Sequence, residues 1–494
     1  MRNKKDSFLS KTLLFCSLVF LSCALLASDY TPPGLYDVDH LTLDNGIDVI
    51  LKPRQGAHTF SVRIWVGIGT QDFPCEHQET PHFLEHLLFT GTSEYNEVEL
   101  AHLVADHGGS WNAVTSREAT IYEMDIYSRH SEFALNTLYK ILTDSTFSKE
   151  SVEISRDIIH REAGGKPSKI KQWFRLHGFG VNATEKAVLQ LLPGINFICD
   201  GYVTAEGITR DDIINTFNKY YVPGNMAIII VGDFGKQQII SQLQQTFGTI
   251  PLRPVPERIE PKAGDTSSYE MVTGTFSPLL SSDTSVGVMY RLPSYWSDDN
   301  FTLRIIEQYL DFKLNEILRV DRGLSYAPGT WSYHSSQHGL FSANADVDFD
   351  DVDEALFLIR KEMRNLVEKP INAEQLEESK QKILLQNVQG YEANSEFADY
   401  YANQYSLFRK KRFYENAEKK IEAVTIADIN RVVDEYLRED KAVIFVESPT
   451  LTYTQFYILL SIISLISVIA IVGFYLRKRR ILKLDKIKGI SLYH

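Results

Sequence analysis

The sequence predicts an α+β fold in two related domains, with an apolar segment near each end of the chain. Three observations carry this reading: strands with alternating apolar residues beside turn signals, helical periodicity between those strands, and an internal repeat. At 494 residues with 44% hydrophobic composition, the chain has the length and the apolar content for two or three domain cores.

The strands come first. "LTLDNGIDVILKP" (41–53) alternates on both sides of Asn45-Gly46, a strong short-range hairpin signal. "FSVRIWVGI" (60–68) and "ATIYEMDIY" (119–127) read as further strands. Helical periodicity covers 97–107, 131–143 and 149–163, the first ending at Gly108-Gly109.

The repeat links residues 207–233 with 423–448. Thr209, Asp212, Ile213 and Tyr220 match Thr425, Asp428, Ile429 and Tyr436 at a constant offset of 216. Each copy opens with a Thr three residues before an Asp, which suits a capped helix start, and closes on an apolar strand. Between the halves, 251–268 is rich in Pro and charge and reads as a linker. Domains are therefore expected at 36–250 and 269–447, followed by a short stalk.

The two ends predict export and anchoring. Arg2, Lys4, Lys5 and Lys11 precede and enter an apolar run that closes on Ala27-Ser28, the pattern of a signal peptide over 1–28. Residues 456–476 are uncharged and about 30 Å long as a helix, enough to span a bilayer. "RKRR" (477–480), Lys483, Lys486 and Lys488 follow the span, whereas 447–455 has no Lys or Arg. This asymmetry places the tail (477–494) in the cytoplasm and the body on the periplasmic or other extracytoplasmic side, as in a bacterial inner-membrane protein. The net charge of −13, without a basic stretch in the body, argues against nucleic acid as a partner. Cys75 and Cys199 are the two cysteines of the body. They form either a disulfide or two buried thiols, and spacing does not choose between them.

The chemistry is concentrated in "PHFLEHLLFTGT" (81–92). Residues i and i+4 of a helix lie about 40° apart, so His82 and His86 can present imidazoles to one point. Thr80 and Pro81 suit an N-cap and first helical position, and Gly91 suits the helix end. Two imidazoles on one helix face suit a zinc ion, which needs a third protein ligand and leaves a position for water. Glu85, beside His86 but displaced around the helix, suits the base that takes a proton from that water. The order is ligand, base, ligand, the inverted H-x-x-E-H arrangement. Rival ligands fit less well: His102 and His107 are five apart, His160 points away from Glu162, and Cys75-Glu76-His77 reads as a loop or disulfide segment.

These residues resemble the pitrilysin/insulinase family of zinc metallopeptidases, in which the inverted motif is followed by Gly-Thr. The resemblance covers about 38–447. It implies two homologous α/β-sandwich domains and a third ligand 76 residues beyond His86, at Glu162, with Phe147, Glu150, Val152, Glu153, Arg156 and Ile159 fitting the surrounding pattern. One departure is Ser155, where the family places a Glu that supports the metal site; its loss would weaken ligand orientation. The resemblance further implies that Asn112 and Ala113 lie on an edge strand that takes up a peptide by strand addition. It also implies that Arg319 contacts substrate carbonyls and that Tyr326 steadies the developing oxyanion.

The function expected from all this is a membrane-anchored zinc endopeptidase with one Zn2+ per chain, acting on peptides or unfolded polypeptides. Two-domain members of the family pair to enclose their substrate, so a homodimer is expected, or a heterodimer with a different subunit. The alternative is a non-catalytic scaffold, or a subunit dependent on its partner, with the same fold.

Overall fold

The computed structural model describes residues 34–490 except 171–172, 174–181, 196–198, 200 and 259–261. The expected signal peptide lies outside the described residues. The first half runs β1 (Asp39–Thr42), β2 (Asp48–Pro53), β3 (Thr59–Val66), α1 (Thr80–Leu87), α2 (Glu97–Asp106), β4 (Ser110–Thr115) and β5 (Thr120–Tyr127). It continues with α3 (Ser131–Thr143), α4 (Lys149–Glu162), α5 (Ala183–Leu191), α6 (Gly201–Gly207), α7 (Arg210–Tyr220), β6 (Met226–Gly232) and α8 (Lys236–Gln245). The expected hairpin forms: Gly46 takes φ 95°, and its N–H bonds Leu43 O at 2.8 Å between β1 and β2.

The second half has β7 (Val272–Leu280), β8 (Asp283–Leu292), α9 (Asp299–Leu314), β9 (Gly329–His334), β10 (Gly339–Asp348), α10 (Val352–Glu368) and α11 (Ala373–Gly390). Then come α12 (Asn394–Asn403), α13 (Tyr405–Lys411), α14 (Ala417–Ala423), α15 (Ile426–Tyr436), β11 (Val443–Leu451) and α16 (Tyr453–Ile490).

The sheets are ordered β1-β2-β6-β3-β5-β4 and β7-β11-β8-β10-β9. Apart from the extra β1 they match strand for strand. In each, one parallel pair (β2 with β6, β7 with β11) adjoins antiparallel strands. The repeat explains why. Thr209 accepts from the N–H of Asp212 and Thr425 from that of Asp428, and each Asp carboxylate returns to the N–H of its Thr. These reciprocal caps start α7 and α15, which lead into the central strands β6 and β11.

One face of each sheet is covered by helices of its own half, with Val62, Ile64, Phe83, Leu84 and Leu138 in one core and Val288, Tyr290, Ile306 and Ile359 in the other. The opposite faces are covered by exchange. Phe397, Tyr401 and Tyr405 from α12 and α13 pack on Ile50, Trp65 and Ile229 of the first sheet, while Ala187, Val188 and Leu191 of α5 pack on Val272, Met289 and Phe445 of the second. Buried charge is satisfied across this boundary. Arg63, 1% exposed, bonds Asp125 of its own sheet and Asp399 of α12, and Asp48 accepts from Tyr405 and Arg412. Removing the carboxylate partners of Arg63, or the Arg412 partner of Asp48, leaves an uncompensated buried charge, so these contacts hold the exchange. The linker is also pinned, with Arg258 bonding Asp72 and the carbonyl of Glu118.

No stalk intervenes before the apolar helix. β11 runs to Leu451, and only Thr452, which accepts from the N–H of Gln455, separates it from the start of α16 at Tyr453. Tyr453–Arg480 is long and apolar enough to cross a membrane, with mean hydropathy 2.6 and none of its most apolar stretch buried.

Candidate metal centre

The α1 helix buries Phe83, Leu84 and Leu87 completely, which turns His82, Glu85 and His86 to the other face. Its start differs from the sequence expectation. Glu79 occupies the N-cap with near-helical angles (φ −82°, ψ −2°), and Thr80 is already the first helical residue. The Thr80 hydroxyl donates to His77 O at 2.8 Å instead of capping the helix. Pro81 is tolerated because N–H groups of the first turn lack intrahelical acceptors in any case. Gly91 does not end the helix either, since the C-cap is Leu88. It takes φ 137° farther on, where a Cβ would come within 2.9 Å of Tyr95 O.

The second contributor is α4, capped by Ser148. Val152 and Ile159 bury its inner face, and Arg156 ties it down by bonding the carbonyls of Ala205 and Ile208 and lying over the Phe83 ring. This holds Glu162, the last residue of α4, against α1.

His82 Nε2 and His86 Nε2 are 3.1 Å apart, and Glu162 Oε2 lies 3.2 and 3.5 Å from them. Three ligands of a tetrahedral zinc with bonds of about 2.0–2.1 Å stand about 3.3 Å from one another, so the donor set and its spacing fit that ion. Among the described residues, this is the single group of three or more His, Cys, Asp or Glu side chains so arranged. Glu85 is half-buried beside it and outside the triangle.

The two rings differ electrostatically. Burial works against charge on His82, but the hydrogen bond to Glu79 and the carboxylates of Glu85 and Glu162 prevail and raise its pKa. Burial and the neighbouring His82 lower that of His86. Three of the rival ligands, Cys75, His107 and His160, are otherwise engaged. Cys75 is bonded to Cys199, with Cα atoms 5.4 Å apart, which resolves the cysteine question as a disulfide. His107 bonds Leu103 O and stacks on Phe133, and His160 pairs with Glu206.

α1 packs on β4, whose outer edge pairs with no described strand. There Asn112 is exposed, Ala113 is buried, and Asn112 stands opposite Glu123. Arg319 lies in a π-helical turn (Asn315–Val320) and stacks over the Tyr326 ring at 4.6 Å. Both are exposed on the second domain, and neither is among the partners of His82, His86 or Glu162. Ser155 is 1% exposed, and its hydroxyl has no partner among the described residues.

Sequence reasoning missed Glu79, whose Oε2 meets His82 Nδ1 at 2.8 Å. A carboxylate three residues before a candidate ligand, hence one turn away, was the available signal.

Residues 48–173 match the family model described as "Insulinase (Peptidase family M16)", and 207–383 match "Peptidase M16 inactive domain". The chain belongs to the M16 peptidase family. Among M16 relatives, the mitochondrial-processing peptidase subunit beta of Dictyostelium discoideum is 25% identical over 438 residues, covering 84% of this chain and 89% of that protein. A protein of Bacillus subtilis described as an uncharacterized zinc protease is 21% identical over 419 residues, covering 82% and 97%. The crystal structure of a protease from Helicobacter pylori superposes with a TM-score of 0.70 at 16% identity, over 84% of this chain and all of that one. That likeness is one of fold.

Proposed function

We propose that this M16 chain is a membrane-anchored zinc endopeptidase that cleaves peptides or unfolded polypeptides. The observation that carries the reading is the triangle of His82, His86 and Glu162, closed at 3.1–3.5 Å by residues from two separate helices. Relatives described as zinc proteases support it.

His82, His86 and Glu162 would hold the ion, which supplies Lewis acidity that activates water and polarises a carbonyl. Glu85 takes the proton of the attacking water and delivers it to the leaving amine. The free edge of β4 receives the substrate as an added strand, so that backbone hydrogen bonds at Asn112 and Ala113 align the scissile bond. Arg319 and Tyr326 bind substrate carbonyls and the developing oxyanion. Since they are exposed on the other domain, a second subunit, identical or different, supplies them.

The exposed apolar surface of α16 is larger than soluble proteins leave to water, which supports a membrane span with the basic tail on the cytoplasmic side. The body then stands outside the cytoplasm, where the Cys75–Cys199 disulfide persists.

The test is peptide cleavage by the purified full chain in detergent. Chelation should abolish it, and Glu85→Gln should lower it by about 10²–10⁴-fold while one zinc per chain is retained. Full activity in Glu85→Gln would remove the assigned base. A wild-type chain that binds peptide but contains no zinc and cleaves nothing would favour the non-catalytic scaffold, the reading to which the loss of a carboxylate at Ser155 lends weight.

A further inference from the structure

His82 meets a carboxylate at each of its ring nitrogens. Nε2 faces Glu162 at 3.2 Å, and Nδ1 meets Glu79 Oε2 at 2.8 Å. The two nitrogens lie on different edges of the ring. Glu79 is therefore directed away from the point where His82, His86 and Glu162 converge, and it is not one of the converging donors. A carboxylate only accepts hydrogen bonds, so Nδ1 donates to Glu79, and a cation that replaces any proton on Nε2 meets the Nε2 lone pair at the triangle. A separation of 2.8 Å is that of a charge-assisted bond.

The position of Glu79 is held on several sides. Its side chain is 19% exposed, its carbonyl accepts from the N–H of Phe83 at 2.9 Å, and the preceding turn is fixed by the Thr80–His77 bond and by the disulfide at Cys75. The α4 helix brings no comparable group. Ser155, two turns before Glu162, is buried with an unpartnered hydroxyl. Apart from Glu162, the carboxylate bonded to these imidazoles is Glu79.

We infer that Glu79 is the positioning residue of the metal centre: it fixes the tautomer and the ring orientation of His82, and its charge makes Nε2 a stronger donor to a bound cation. Orienting partners of this kind are worth about 10–100-fold in metal affinity or activity. The inference rests on the zinc reading, so the test must let the two fail separately.

Zinc affinity of the full chain in detergent is measured by competition with a chromogenic chelator, for wild type, Glu79→Ala and Glu79→Gln. Glu79→Ala should bind zinc about 10–100-fold more weakly. Glu79→Gln keeps a hydrogen-bond acceptor but loses the charge, and should fall between the two. The cobalt-substituted protein reads the same change without turnover, because altered ligand orientation shifts its visible absorption bands. Equal melting temperatures of the zinc-free proteins show that the fold is intact, and if Glu79→Ala does not fold, the near-isosteric Glu79→Gln carries the test. Wild-type and variant affinities within about twofold, with unshifted cobalt spectra, would overturn the role of Glu79 and leave the zinc site standing. A wild-type chain that binds no zinc would instead overturn the site and this inference together.

Discussion

The two halves of the chain share a strand order and a capped helix leading to a central strand, yet they diverge after the first long antiparallel strand. Beyond β3, the first half forms the short α1, with imidazoles on its open face. Beyond β8, the second forms α9, which buries Leu303, Ile306 and Leu310 and ends in the π-helical turn that carries Arg319. The sheet is therefore common scaffold, and the candidate metal chemistry is added by α1 and α4 alone. The site residues are added to a shared scaffold, on helices whose inner faces (Phe83, Leu84, Val152 and Ile159) belong to the first core.

The exchange of helices is the feature most open to a decisive break. If each half depends on the other's helix, Tyr401→Ala in α12 should cost about 3–5 kcal/mol and Leu191→Ala in α5 about 2–5 kcal/mol. The location of the damage matters more than its size. Hydrogen exchange should show Tyr401→Ala exposing β2 and β6 of the first half, and Leu191→Ala exposing β11 of the second. Protection lost only within the mutated half would mean that the halves are independent.

The disulfide sharpens the contrast, because it belongs to the first half alone. Cys75 and Cys199 close a stretch of 124 residues beside α1. Replacing both with Ser should cost about 2–4 kcal/mol. The loss should appear in α1 and α6 by hydrogen exchange, with the second sheet unaffected. Uniform loss across both halves would show that the bridge stabilises the whole chain and not this region.

The smallest effect is a symmetric one. Thr209→Ala and Thr425→Ala each remove a cap and should each cost about 0.5–2 kcal/mol, most simply read as a fall in melting temperature. Clearly unequal values would show that the repeat is shared in geometry but not in its contribution to stability.

Much of this was legible in the sequence because it is local. The Asn45-Gly46 hairpin, the Thr-x-x-Asp caps and the facing of His82 and His86 follow from backbone geometry over a few residues. The start of α1 lies one residue from the expected place, since Thr80 found His77 O as a better partner for its hydroxyl than the helix N–H groups. The stalk expected before the apolar helix is absent because β11 continues beside β7 as far as Leu451. Glu79 escaped notice because a carboxylate before a helix is usually only a solvated cap.

By itself, the sequence determined the α+β class, the repeated helix-to-strand unit, the apolar C-terminal helix and the order of candidate groups on α1, since periodicity and capping are written in neighbouring residues. Tertiary structure alone decided that Cys75 meets Cys199, that α5 and α12 change places, and how closely Glu162 approaches the two rings. The physical reason is that burial of apolar surface is non-directional: an amphipathic helix specifies that one face must be covered, not which sheet will cover it.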